Sequence, residues 1–254
     1  MTDLPRTPSM RLDGQRALVT GASSGIGQAS AAALADAGAH VVCVARGAQR
    51  LDATVAALQA RGGSANALVL DQSDLEALEG ALAGEVFDVV VNSAGTAHPF
   101  AAMDTRPADF DRVMDLNLRS AYFLSAWAAG AMRAAGKTGS IIHISSQMGH
   151  VGGADRTVYC ASKFGLEGMI KAMAIEWGPL GIRINAVAPT FIRTPLTEKT
   201  FDDPGRMAWI NDKIKLARTG EVADIMGAVL YLATEVSALV TGTSLLVDGG
   251  WTAD

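Results

Sequence analysis

Thr20-Gly21-Ala22-Ser23-Ser24-Gly25-Ile26-Gly27 decides the fold, because it joins an apolar run at 17–20 to an alanine-rich stretch that opens at once as a helix. Glycines there permit a tight turn, let the backbone approach a pyrophosphate, and pack helix against strand, while helix N-terminal amides favour the anion. The spacing is G-x-x-x-G-x-G rather than the common G-x-G-x-x-G, and it still predicts a dinucleotide site. No Gly-Lys-Ser/Thr follows, so a triphosphatase reading lacks its lysine.

Outward from this turn, short β-rich runs alternate with longer Ala/Leu-rich segments. Strands are expected at 17–20, 40–45, 67–70, 86–91, 140–144, 183–187 and 244–247, and helices at 27–37, 49–61, 75–82, 109–135, 158–177 and 221–234. The alternation predicts an α/β fold: a Rossmann-type, doubly wound, seven-stranded parallel sheet with helices on both faces. Ligands then bind at the strands' C-terminal edge. Residues 190–216 fit neither period and carry Pro195, Pro204 and Gly205, so they are expected to form a mobile lid or binding loop.

A chain of 254 residues with 49% hydrophobic content can bury a large core, and no linker or repeat divides it. Residues 11–254 are read as one catalytic domain and 1–10, with Pro5 and Pro8, as a flexible arm. Net charge is -5 and the pI about 5.4, with no basic run, which argues against nucleic acid or an anionic membrane as partner. No stretch reaches membrane-spanning length. Two cysteines, Cys43 and Cys160, make no disulfide framework, and the cytoplasm is the expected compartment. No cluster has metal-ligand spacing, so no metal is expected.

The second strand ends at Ala45-Arg46, where an acidic residue would bind the ribose 2′-hydroxyl of NAD. A guanidinium instead suits a 2′-phosphate, favouring NADP(H) over NAD(H). Further on, Tyr159 and Lys163 stand one helical turn apart, so the ammonium can approach the phenol, favour phenolate and fit it for acid/base work. That pair alone is a weak signal, since surface helices show it by chance.

Together, residues 20–27, Asn92-Ser93-Ala94-Gly95, Asn117, Ser145-Ser146, Tyr159-x-x-x-Lys163 and Pro189 resemble the short-chain dehydrogenase/reductase superfamily, in its single-domain branch of about 250 residues. The resemblance implies a tetrad of Asn117, Ser146, Tyr159 and Lys163, Ser146 being preferred to Ser145 for its 13-residue interval to Tyr159. It implies that Tyr159 exchanges the proton, Ser146 holds the substrate oxygen, Lys163 lowers the Tyr159 pKa and binds the nicotinamide ribose, and Asn117 holds a water serving Lys163. It further implies cofactor contacts from Gly21, Ser23, Ser24, Gly25, Ile26, Gly27 and Arg46, then from Asp71 near the adenine and from Asn92, Ala94 and Gly95 at the centre. Pro189, Ile192 and Thr194 follow toward the carboxamide. Two departures are Ser93 for the usual second Asn, and Thr190 where Gly is common, which would restrict the backbone there.

Substrate candidates are Gln147, His150, Arg156 and Trp209, with Met148, Gly152, Gly153, His98 and Phe100 nearby. Their polarity suits a sugar, polyol or hydroxy acid as the secondary alcohol or ketone. A 3-oxoacyl thioester on a carrier protein is the alternative, with Arg133 and Lys137 as docking cations, but Leu180 stands where carrier-dependent relatives place arginine. A nucleotide-sugar epimerase would need a larger C-terminal region than follows residue 250, and a catalytically inactive cofactor sensor would not need the intact tetrad. The helices at 109–135 and 158–177 resemble the family's subunit-packing helices and imply a homotetramer.

Overall fold

The computed structural model describes residues 4–253. Residues 4–10 are exposed and without regular structure; the rest of the expected arm, 1–3, lies outside the described residues.

Seven strands form one sheet in the order β3-β2-β1-β4-β5-β6-β7, every pairing parallel. They are β1 Arg16–Thr20, β2 His40–Ala45, β3 Ser64–Val69, β4 Val89–Asn92, β5 Gly139–Ile144, β6 Ile182–Pro189 and β7 Ser244–Val247. Strand order reverses between β1 and β4, which opens a crevice at their C-terminal ends.

Both faces of the sheet are buried, so the strands read as continuous apolar runs whose alternate side chains serve opposite cores. Ala17, Val19, Val41, Cys43, Val89 and Val91 pack with Leu34, Leu51, Val229 and Leu232. Those partners come from α1 Gly25–Asp36, α2 Ala48–Ala60 and α9 Val222–Ala233. Leu18, Val42, Val44, Val90 and Ile141 pack on the other side with Leu78, Leu124, Met132, Leu166 and Ile170. These belong to α3 Leu75–Leu82, α5 Ser120–Ala134 and α6 Thr157–Trp177.

Three expected elements differ. The helix expected at 109–135 is α4 Pro107–Met114, a π-helical segment Asp115–Arg119, and α5. The third strand begins at Ser64, because polar Ser64 and Asn66 pair with His40 through its two ring nitrogens (2.7 and 2.8 Å) at the sheet's edge. The stretch 190–216 is not one loop: it contains α7 Glu198–Phe201 and α8 Pro204–Lys213. Asp203 caps α8 by accepting from the amides of Gly205 and Arg206 (2.9 and 3.1 Å), and Pro204 occupies its first turn. Fully buried Ile210, with Met207 of the same helix and with Ile214, packs α8 against Trp251, Val151 and Phe191. Among the described residues no helix is long and apolar enough to cross a membrane, and no group of three or more His, Cys, Asp or Glu side chains could hold a metal.

Candidate active site

The first turn of α1 is built by close backbone packing. Gly21 has φ +67°, and a Cβ there would lie 2.9 Å from the Ser93 carbonyl and the Ala94 amide. A Cβ on Gly27 would come 2.3 Å from the Gly21 carbonyl oxygen. Ser24 makes no side-chain cap, so the first amides of α1 have no such acceptor and face an open cavity.

That cavity, about 490 Å³, runs along the strands' C-terminal edge. Gly21, Ser23, Ser24, Gly25, Ile26, Gly27, Arg46 and Asp71 line one part of it, and Ala94, Gly95, Pro189, Ile192 and Thr194 line the middle. Ser146, Tyr159 and Lys163 stand in the same cavity. Three buried polar atoms on its walls lack a hydrogen-bond partner: Gln72 Oε1, Ser145 Oγ and Thr190 Oγ1. Buried polar groups are normally paired. A polar ligand threaded past the glycine turn would satisfy such groups, and the pyrophosphate of a dinucleotide also suits the free helix amides.

Arg46 Nη1 lies 3.6 Å from Asp71 Oδ2, with the guanidinium mostly exposed. Partial burial pushes the Asp71 carboxyl upward, but hydrogen bonds from Ser73 and the Arg46 charge carry it below its ordinary value.

Asn92 is a correction. Its side chain does not line the cavity but lies buried behind it, accepting from Thr20 Oγ1 (3.0 Å) and Gln72 Nε2 (3.0 Å) while Nδ2 meets His143 Nδ1 (3.1 Å). Thr20 Oγ1 in turn accepts from the Ala94 amide (3.2 Å). Asn92 is therefore a strut that holds the loop ends of β1 and β4 together. Gln72, hydrogen-bonded to Asn92, lines the cavity wall.

Ser146 caps a 3₁₀ turn, Gln147–Gly149, by accepting from the Met148 amide (3.1 Å), and its hydroxyl donates to Gln147 Oε1 (3.1 Å). Gln147 is buried. Burial raises the Tyr159 phenol above its ordinary pKa; a hydrogen bond with Ser146 and the charge of Arg156 act the other way. Lys163 Nζ donates to the Ile144 carbonyl at 2.9 Å and lies 5.7 Å from the Tyr159 ring centroid. Burial lowers that ammonium to about 8, against the opposing charge of Glu167. Arg156 thus adds a positive charge that favours the phenolate, while the Lys163 ammonium is shared between the ring and the β5 carbonyl.

Asn117 lies in the π segment, and its side chain is fully engaged. Oδ1 accepts from the Thr96 amide (2.8 Å), and Nδ2 donates to the Thr96 carbonyl (2.9 Å) and Ser162 Oγ (3.1 Å). It ties the 93–96 loop to α6. Thr190 has no positive φ and donates its amide to the Val247 carbonyl (3.2 Å), so its side chain restricts nothing there.

Of the substrate candidates, His150 turns away. It meets Ser244 Oγ (3.0 Å) and lies 3.5 Å from Glu167 Oε1, beside edge strand β7. Trp209, half-exposed on α8, forms an edge-on pair with Trp251 (4.9 Å between centroids). Arg156 stands one turn before Tyr159 with Nη1 buried and unpaired. Sequence reasoning missed Gln72, Ser93, Thr96, Leu196 and Thr197 on the cavity wall; the strand-end position of Gln72 and Ser93 was the available signal.

A family model described as enoyl-(acyl carrier protein) reductase matches residues 21–252. The chain is 38% identical to D-erythrulose reductase of Gallus gallus, over 96% of this chain and 98% of that one. It is also 38% identical to D-threitol dehydrogenase of Mycolicibacterium smegmatis, over 95% and 94%. A solved structure from Agrobacterium tumefaciens, provisionally assigned as a 2-deoxy-D-gluconate 3-dehydrogenase and holding NADP, superposes with a TM-score of 0.94 at 38% identity, covering 98% of this chain and 100% of that one.

Proposed function

We propose, from the premise that this chain belongs to the short-chain dehydrogenase/reductase family, that it is an NADP(H)-dependent dehydrogenase/reductase acting on the secondary alcohol or ketone of a sugar, polyol or hydroxy acid. The observation that carries this reading is the shared cavity, in which Ser146, Tyr159 and Lys163 face the same space as the backbone of residues 21–27.

A nicotinamide cofactor held by the residue 21–27 turn would supply the hydride to the carbonyl carbon in reduction, or accept it from the carbinol in oxidation. Tyr159 donates a proton to the carbonyl oxygen in reduction and accepts it from the hydroxyl in oxidation. Ser146 Oγ, fixed by the Met148 amide and Gln147, holds that oxygen by a hydrogen bond. Lys163, kept near its titration point by burial, replaces the proton and offers Nζ to the nicotinamide ribose hydroxyls. Because the Asn117 side chain is engaged with Thr96 and Ser162, the group left to hold a water near Lys163 is its main-chain carbonyl in the π segment.

Arg46, exposed at the end of β2 where no carboxylate of that strand competes, supports NADP(H) over NAD(H). A carrier-protein substrate is less well supported: Leu180 is exposed, and Lys137 is paired with Asp88 at 3.0 Å. Exposed Tyr122 and Phe164 on α5 and α6 support a homotetramer, to be checked by sedimentation velocity.

The test is Tyr159→Phe. Turnover should fall by about 10²–10⁴ with NADPH affinity retained; undiminished turnover would remove Tyr159 as the proton donor, and a wild type that binds NADPH but turns nothing over would point to a cofactor sensor.

A further inference from the structure

Relatives named for neutral sugars and alditols and relatives named for sugar acids both reach 38% identity to this chain, so the choice rests on its own residues. Arg156 distinguishes them. Its Nη1 is buried with no acceptor, although a guanidinium presents five N–H donors in a fixed fork. Its backbone is tied at both ends, the amide to the Gly153 carbonyl (3.2 Å) and the carbonyl to the Cys160 amide (2.7 Å).

Burial, and then the charge of Arg206 in the first turn of α8, lower the Arg156 guanidinium, with Asp155 acting the other way; the carboxylate contact of Arg206 is a 3.6 Å approach from Asp203. A guanidinium with a buried, unmet donor is stabilised by an anion, and its planar fork matches a carboxylate. Arg156 is the N-cap of α6, three residues before Tyr159 and so on the same side of the helix, next to the cavity that Tyr159 lines.

We infer that Arg156, assisted by Arg206, anchors the carboxylate of a polyhydroxy acid, so that the substrate is a sugar acid rather than a neutral sugar or alditol. This rests on the oxidoreductase reading above and narrows it.

The experiment is steady-state oxidation with NADP⁺ of a panel of aldonates, each paired with the alditol of the same carbon skeleton, alongside reduction of neutral ketoses with NADPH. D-Gluconate titrations of the NADP⁺ complex are followed in parallel by tryptophan fluorescence. The expected result is an aldonate with kcat/KM at least tenfold above its alditol, falling at least tenfold in Arg156→Gln and partly restored in Arg156→Lys. Alditol kcat/KM should fall only by the smaller factor that losing a charge near Tyr159 brings, and NADPH affinity should change less than twofold. Preference for alditols or neutral ketoses, or an equal fall for acid and alditol in Arg156→Gln, would overturn the carboxylate anchor while leaving the oxidoreductase reading intact. Absence of nicotinamide-linked turnover with every acid, alditol and ketose would overturn both.

Discussion

Arg46 and Asp71 approach across the mouth of the cavity, Nη1 to Oδ2 at 3.6 Å, one at the end of β2 and the other just beyond β3. The pair is loose and the guanidinium mostly exposed, so its value to folding is small. Its consequence is for ligand choice: a 2′-phosphate offers Arg46 a denser acceptor than a hydroxyl does. Arg46→Ala should weaken NADPH about 10–100-fold, the range expected for a charge-assisted hydrogen bond of roughly 1.5–3 kcal/mol, and leave NADH within about threefold. Parallel fluorescence titrations decide it; equal weakening of both cofactors would remove the phosphate role.

Gly27 tests the turn. The 2.3 Å approach of an added Cβ to the Gly21 carbonyl oxygen leaves no room, and the obstacle is backbone rather than a flexible side chain. Gly27→Ala must therefore displace either α1 or the 21–24 turn, at a cost of about 1–3 kcal/mol. NADPH binding should drop at least tenfold, with a lower melting temperature. Retention of wild-type affinity would mean that the turn does not hold the cofactor.

His143 carries a stability signature. Asn92 Nδ2 donates to Nδ1 (3.1 Å), which leaves Nε2–H to donate to Ser125 Oγ (2.9 Å), whose hydroxyl donates to the Ala121 carbonyl (2.8 Å). Complete burial, and then the Lys163 charge, lower its pKa to about 3. Below about pH 6.5 the unfolded chain takes up a proton that the folded ring refuses until about pH 3, so stability is lost as pH falls through that window, by about 1.4 kcal/mol per pH unit. His143→Gln removes this titration. The stability gap between wild type and variant, from urea unfolding, should shift in the variant's favour by about 2–3 kcal/mol between pH 7 and pH 4.5. A gap constant with pH would sink the idea.

The sheet was legible because its strands are buried on both faces, and Val41 to Val44 or Val89 to Val91 then read as unbroken apolar runs. The edge hid Ser64 and Asn66, whose partner is a histidine side chain and not a core. In α8, Asp203-Pro204 is a helix start that looks like loop chemistry when each residue is read alone. The wall residues were visible as types, but hydrogen-bond partnership is set by three dimensions. Asn92 at the end of β4 was expected to meet the cofactor, yet the inward turn of its side chain toward Thr20 and His143 follows from strand pairing that no single segment encodes. The engagement of Lys163 with Ile144 was hidden for the same reason: spacing on α6 gives its distance to Tyr159 but says nothing of β5.

Glu167 gives the last prediction. One turn beyond Lys163 on α6, its buried carboxylate opposes the burial that draws the ammonium down to about 8, while Oε1 accepts from Ser244 Oγ at 3.0 Å and lies 3.5 Å from His150 Nε2. Because the folded Lys163 pKa is depressed, the unfolded chain binds the extra proton between about pH 8 and 10.5; this group's penalty is present in full below pH 8 and disappears as pH rises through that window. Glu167→Gln keeps the shape and removes the charge, so Lys163 should lose its proton at lower pH and the penalty at neutral pH should grow. If Lys163 supplies the proton that Tyr159 passes on, the alkaline limb of kcat/KM for reduction should move down by about half to one pH unit, the scale of a single partly screened charge. Profiles from pH 6 to 10 for wild type and Glu167→Gln measure this, with Ser244→Ala separating loss of charge from loss of the hydrogen bond. An alkaline limb that stays in place in Glu167→Gln assigns it to another group, and Lys163 then acts only in binding.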